Sequence, residues 1–399
     1  MIGAHLNSIK DQAAIVGIGR TEFSSRSGRS ELRLALEAIT EALDDAGLEP
    51  DQVDGLVRYG IAQTGASEAL VAHNLGLPLV RFWACVDLGG AASCALLGQA
   101  SLAVASGRAN YVVIYRTLNG RSGIRPGSGD TAKLYRNQDP GYDNFLVPHG
   151  FTAPSQVFAM MARRRMHEYG MTNEQLGKVA VTARAYANRN PRAQLYNKTL
   201  TLEDYFASPV ISSPLRKFDM CLQTDGAVAL VVTTPERAAD LKGKPVYVKA
   251  AAQAAMPEIQ GPLHSFIGRK DILESSGRLA AAEVYREAGV GPKDIDVAQL
   301  YDCFTPTLMQ QLEDYGFCGK GEAGGFVDDG HISPNGSIPV NTAGGNLAEG
   351  YIHGVNHLLE GVRQLRGTST SQVANAETCL VTAGLPYPTS AAILGSVRG

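Results

Sequence analysis

The segment LEAITEALDDAGLEPDQVDGLVRYG, residues 36–60, is echoed by AAAEVYREAGVGPKDIDVAQLYDCF, residues 280–304. Each reads as an amphipathic helix stopped at Ala-Gly, an acidic turn and a strand. The echo predicts two similar halves packed on each other, with a site where strand ends and helix starts from both halves meet. Outward from the first copy, AAIVGIG (13–19) reads as a buried strand and 31–46 as a helix ending before Gly47. Then follow a strand at 53–60, a short helix near 67–75, a strand at 80–86, a small-residue helix at 91–106 and the strand YVVIY at 111–115. This is an alternating α/β pattern. Residues 117–215 break it with a Gly- and Ser-rich stretch, the aromatic-rich YRNQDPGYDNF, and helices at 154–169 and 173–188. They read as an insertion covering the active site. The pattern returns with DGAVALVVTT at 225–234.

A chain of 399 residues, 44% hydrophobic and 19% charged, buries more than one core. A formal net charge of -3 and a pI near 6.3 give no field for nucleic acid or an anionic membrane, so an anionic ligand must be bound locally. Six scattered cysteines without CxxC spacing argue against a zinc site or a secreted disulfide framework and fit a reducing cytoplasm. No signal-like start and no long uncharged apolar run is present, which predicts a protein neither secreted nor membrane-spanning.

Three segments combine polar or small residues with strand-to-helix corners. VDLGGAASCALL (86–97) runs from a strand into a helix whose first turn is Gly, Ala and Ser, where backbone N–H groups suit an oxyanion or phosphate. LYDCFTP (300–306) ends an apolar strand in Tyr301, Asp302 and Cys303. NTAGGNLAEGYIHG (341–354) sets four glycines around Tyr351 and His353, with a helix following at about 352–366. Each has a plain structural reading as well: small residues let a buried helix pack tightly, and glycines serve turns.

In this order and at these separations the segments resemble the thiolase superfamily, on the branch of sterol-carrier-type thiolases and their acyl-CoA aldolase relatives. CLQTDGAVALVVTT (221–234) looks like the family's Asp-Gly-Ala signature, and AGLPYPTSAAILG (383–395) like its last strand and Gly-rich loop. The resemblance implies an α/β thiolase fold: two duplicated βαβαβαββ halves, 1–240 and 245–399, in a five-layered α-β-α-β-α arrangement with 117–215 as an inserted loop domain. Where the family holds its nucleophilic cysteine, in a pattern like V-N-x-x-C-x-x-G, this chain has Gly90; Cys94, one turn on, reads as a packing residue. Tyr301 stands where the family has Asn or His. Gly350-Tyr351-Ile352 replaces Gly-His-Pro, and Cys379 lies too early to be the second reactive cysteine.

Ping-pong acyl transfer needs a nucleophile and a base within reach, so these departures argue against it. The resemblance implies instead retro-aldol cleavage of a β-hydroxyacyl-CoA, as in the thiolase-like aldolases that shorten steroid side chains: a 17-hydroxy-type thioester releasing a ketosteroid and propionyl-CoA, with no cofactor. Tyr351 is the expected base and Tyr301 the acid, an assignment that is reversible, with Asp302 and His353 as candidates to orient them. Backbone N–H groups at Gly89, Gly90 and Gly384 are candidates for the enolate oxygen, and Arg116, Arg121, Arg125 and Arg163 for the CoA phosphates. The resemblance also implies a homodimer and an OB-fold (zinc-ribbon) domain of an enoyl-CoA hydratase-type partner. Two other readings stay open: an acyltransferase using Cys94 or Cys303, and a non-catalytic acyl-CoA or lipid carrier.

Overall fold

The computed structural model describes residues 8–61, 64–87, 89–123, 147–256, 271–384 and 388–399. Its strands are β1 (Ala14–Arg20), β2 (Gly55–Tyr59), β3 (Phe82–Val86), β4 (Val112–Asn119), β5 (Val210–Ser212), β6 (Leu215–Arg216), β7 (Asp225–Thr233), β8 (Val246–Ala254), β9 (Val297–Gln299), β10 (Thr378–Ala383) and β11 (Thr389–Gly395). The principal helices are α1 (Glu31–Ala46), α2 (Glu68–Leu75), α3 (Ala92–Ala105), α4 (Pro154–Tyr169), α5 (Asn173–Ala187), α6 (Gly277–Ala288), α7 (Thr305–Asp314) and α8 (Val355–Arg366).

The pairing repeats. In the first half β3, β2 and β4 run parallel, β7 is antiparallel to β4, and β1 is antiparallel to β7. In the second, β9 and β10 run parallel, β11 is antiparallel to β10, and β8 to β11. The two sets join where Ala14 pairs Tyr247 and Ile15 pairs Val246. The counterpart of β3 in the second half is reduced to one parallel bridge, Val340 to Ala298. Pro339 has no N–H to extend that ladder, and Asn341, at φ 55, turns the chain away.

Local chemistry explains why α1 sits where the sequence puts it. Ser30 accepts from Arg33 N at the start, and Gly47 closes the end in the left-handed conformation. Its apolar stripe, Leu34, Ala38, Ile39, Ala42 and Leu43, is buried against β1, where a Cβ on Gly17 would lie 2.1 Å from Ala42 O. Only glycine allows helix and strand this close.

Three cores separate the layers. The nine strands paired above form one continuous sheet; one core lies between α1 and the first half's strands, a central one surrounds α3 and α8, and a third joins the second half's strands to α6, α7 and the inserted helices α4 and α5. α3 is buried on nearly every side, packing on β2, β4 and β7 of one half and β8, β10 and β11 of the other. The insertion begins slightly later than expected, since β4 runs to Asn119. Asp225 ties that start down, accepting from Ser27 N, Arg121 N and Ser122 N. Among the described residues no helix is long and apolar enough to cross a membrane.

Candidate active site

The carboxyl ends of β2, β9 and β10, the start of α3 and the 341–354 loop converge at the seam between the halves. Tyr301, just beyond β9, is buried, and its backbone N–H donates to Thr382 Oγ1 on β10 at 2.9 Å. Tyr351 is half-buried; its N–H donates to Thr224 Oγ1 at 2.9 Å. The two phenol oxygens are 2.8 Å apart. A Cβ built on Gly90 would meet Tyr301 Oη at 2.6 Å and Cζ at 2.9 Å. The tyrosine hydroxyl therefore fills the space in which any side chain at position 90 would begin.

Burial raises both phenols well above their ordinary value. For Tyr301 the neighbouring Tyr351 and the Cys303 thiol add to it, and for Tyr351 the Cys221 and Cys303 thiols. Both rest as neutral phenols.

His353 adopts φ 53 and packs at a tilt of 40° on Tyr351 with ring centres 4.6 Å apart, and at 42° on Tyr59 at 5.3 Å. It is buried, its Nδ1 has no hydrogen-bond partner among the described residues, and burial, then the charge of Arg116, hold it well below its ordinary value. His353 is thus a neutral imidazole. It orients Tyr351 by ring contact, not by the hydrogen bond considered from sequence.

Asp302 belongs to the scaffold and not to the tyrosine pair. Its carboxylate accepts from Asn346 N at 2.9 Å and Leu347 N at 3.3 Å and lies 3.1 Å from His357 Nε2, so it ties the segment carrying Tyr301 to the loop carrying Tyr351. Cys94 is fully buried; its thiol donates to Val381 O and is pushed up to about 12 by burial. Cys303 is raised likewise to about 12. Neither supplies a thiolate near neutral pH.

The corner expected for the enolate oxygen is present. Gly89 to Ala91 form a single turn ahead of α3, and Gly384, at φ 77, presses on it: its Cβ would fall 2.7 Å from Ala91 Cα. Residues 385–387 of that loop lie outside the described residues.

Four arginines were read as contacts for CoA phosphates, and for Arg116 the structure requires a correction. Arg116 is 1% exposed; its guanidinium lies 5.0 Å over the Tyr59 ring and donates to Tyr59 O at 3.3 Å and Thr64 Oγ1 at 2.9 Å. A cation turned inward within β4 cannot reach a ligand at the surface. It acts instead as a positive charge beneath the aromatic rings, within electrostatic reach of Tyr59 and Tyr351. Arg121 is half-buried, Arg163 is exposed on α4 and donates to Ser213 Oγ at 3.0 Å, and Arg125 lies outside the described residues.

Tyr59 was missed from sequence. Its hydroxyl donates to Gly89 O, fixing the corner that faces Tyr301. The internal echo held the signal, because the offset that carries Gly47 onto Gly289 carries Tyr59 onto Tyr301. Among the described residues, no group of three His, Cys, Asp or Glu side chains is arranged to hold a metal ion.

Residues 13–236 match the thiolase N-terminal domain and residues 263–396 the thiolase C-terminal domain-like family. The chain is 47% identical to 17-hydroxy-3-oxo-4-pregnene-20-carboxyl-CoA lyase of Mycobacterium tuberculosis, over 97% of this chain and 100% of that protein. It is 46% identical to the steroid side-chain-cleaving aldolase of Thermomonospora curvata, over 97% and 98%. The solved Ltp2-ChsH2(DUF35) aldolase superposes with a TM-score of 0.91 at 45% identity, covering 98% of this chain and 100% of that one.

Proposed function

This chain belongs to the thiolase family, and we propose that within it the protein is a lyase that breaks a carbon–carbon bond of a β-hydroxyacyl-CoA by retro-aldol chemistry. The substrate is a steroid side-chain thioester of the 17-hydroxy type, released as a ketosteroid and propionyl-CoA. The observation that carries this reading is the 2.8 Å contact between Tyr301 and Tyr351, with the Tyr301 hydroxyl filling the space of a side chain at position 90. A site so arranged has two proton carriers and, at position 90, no nucleophile. Identity of 47% and 46% to two enzymes named for this cleavage supports it.

The proton count fits two neutral phenols. Cleavage removes one proton from the β-hydroxyl as its oxygen becomes a ketone, and the electrons of the broken bond pass to the thioester as an enolate. The enolate's α-carbon then takes one proton back. Tyr351 accepts the hydroxyl proton while its own passes to Tyr301, and Tyr301 delivers a proton to the α-carbon, so the pair ends as it began. Arg116 beneath the rings favours transient negative charge at Tyr351, and the Gly89 to Ala91 turn offers backbone donors to the enolate oxygen, a contribution of roughly 3–4 kcal/mol for a preorganised hole. No cofactor is needed for these steps.

The assembly proposed is a homodimer working with an OB-fold partner in the cytoplasm. The sheet edge β3 supports the first, with Trp83 67% exposed and Leu79 61% exposed beside it. The DUF35 component named in the solved aldolase supports the second, and six free thiols fit a reducing compartment. Incubation with the 17-hydroxy steroid acyl-CoA tests the function: Tyr301→Phe and Tyr351→Phe should each lose 10²–10⁴-fold in cleavage, the usual span for a general acid or base, with acyl-CoA affinity kept. If both variants cleave at the wild-type rate, the tyrosines are packing residues and the reading fails.

A further inference from the structure

Between α1, β1 and α8 lies a cleft of about 460 Å³ that shares no residue with the tyrosine site. Five cations line it, Arg20, Arg192, Lys244, Arg363 and Arg366, against two carboxylates. Both carboxylates are engaged: Glu41 with Arg192 at 2.9 Å, and Asp45 with Arg366 at 2.6 Å. Arg20 and Arg363 lean on one buried carboxylate, Glu349, at 2.6 and 3.8 Å. The other carboxylate near Arg363 is Glu360, 3.9 Å away. It already accepts from Thr342 Oγ1 and Ser369 Oγ, and burial pushes it toward its neutral form.

Two guanidiniums are therefore left short of acceptors. Arg363 has none within hydrogen-bond distance among the described residues, and Arg20, 2% exposed, keeps a buried Nε without a partner. Burial lowers Arg20 to about 10 although Glu349 opposes this, and the nearby charges of Arg363 and Arg192 lower it further. A guanidinium without acceptors that lines a cavity, as Arg363 does, is what a tetrahedral oxyanion satisfies, since the planar fork matches two of its oxygens.

We propose that this cleft binds a small phosphate-type anion, held chiefly by Arg363 with Arg20 and Lys244 at the wall, at a place separate from the acyl-CoA. Arg20 also grips Glu349, two residues before Tyr351, so the bound anion adjoins the anchor of the catalytic loop.

The test is calorimetric titration of inorganic pyrophosphate, and separately orthophosphate, into the full-length protein at low ionic strength. One saturable site per chain is expected, weakening as NaCl is added. Arg363→Gln, which removes a side chain that makes only the long ion pairs to Glu349 and Glu360 and no hydrogen bond among the described residues, should weaken binding at least tenfold while leaving steroid acyl-CoA cleavage unchanged. Lys244→Gln should weaken it several-fold and carries the test if the first variant does not fold. Absence of saturable binding, or unchanged affinity in the variants, overturns the proposal. So does displacement of pyrophosphate by CoA together with a raised KM in Arg363→Gln, because the cleft is then part of the substrate site.

Discussion

Gly90→Ala is the most direct probe of the site's design. Gly90 has no positive φ, so alanine strains no backbone; its cost is contact alone. The added methyl would lie 2.6 Å from Tyr301 Oη, 2.9 Å from Cζ and 3.1 Å from Cε1. Carbon at van der Waals contact needs roughly 3.5–4.0 Å, so the ring must retreat by about 1 Å. Its far edge is closed, since even a Cβ on Gly354 would be 3.0 Å from Tyr301 Cδ2. A 1 Å retreat stretches the 2.8 Å Tyr301–Tyr351 contact past hydrogen-bond length. Misplacement on that scale costs on the order of 10²-fold in rate, and the overpacking about 1–3 kcal/mol in stability. The assay is product formation from the 17-hydroxy steroid acyl-CoA by mass spectrometry, beside urea unfolding. Gly107→Ala is the control: it lies beyond the far end of α3, nothing lies within 4 Å of its Cβ, and its φ of 69 gives strain without displacing the phenol, so it should lose stability and keep the rate. A Gly90→Ala enzyme that cleaves within threefold of wild type would refute the claim that the hydroxyl occupies this volume.

Cys94→Ala should leave turnover within a few-fold of wild type, read in the same assay, because the thiol is buried and raised to about 12; a thousandfold loss in a folded variant would restore covalent catalysis. His353 is held below its ordinary value of 6.5, so below that pH the unfolded chain binds a proton that the folded one resists. Stability then falls as pH drops below about 6.5, and His353→Asn, compatible with the left-handed backbone, should lose less melting temperature than wild type between pH 7.5 and 5. Asp302→Ala leaves three donors unmatched in a buried spot and should cost about 3–5 kcal/mol by urea denaturation.

The first half was legible because its punctuation is strong. Ser30 and Gly47 bracket α1, and the observed helix has the bounds read from the sequence, 31–46. Tyr301 and Tyr351 were legible as a pair through the family likeness, but not the contact between them, which depends on a Gly90 legible as a missing cysteine and a backbone donor but not as room for a phenol. Arg116 was misread because its position, just after the strand read at 111–115, suits a surface cation equally well. Its inward turn is set by the carbonyl of Tyr59 and the hydroxyl of Thr64, partners more than fifty residues away. Asp302 misled for a similar reason: adjacency to Tyr301 places it near the site, while its carboxylate is taken up by the N–H groups of Asn346 and Leu347, more than forty residues away.

α3 belongs by chain order to the first half, yet its far face is covered by β8, β10 and β11 of the second. A fragment ending before β8 would leave a largely apolar helix half naked in water, and one beginning there would lack the wall its strands close upon. The duplication therefore does not yield two units that fold alone. The chain should unfold in a single cooperative transition, and the space beside Gly90 that the Tyr301 phenol fills exists only when both repeats have closed around that shared helix.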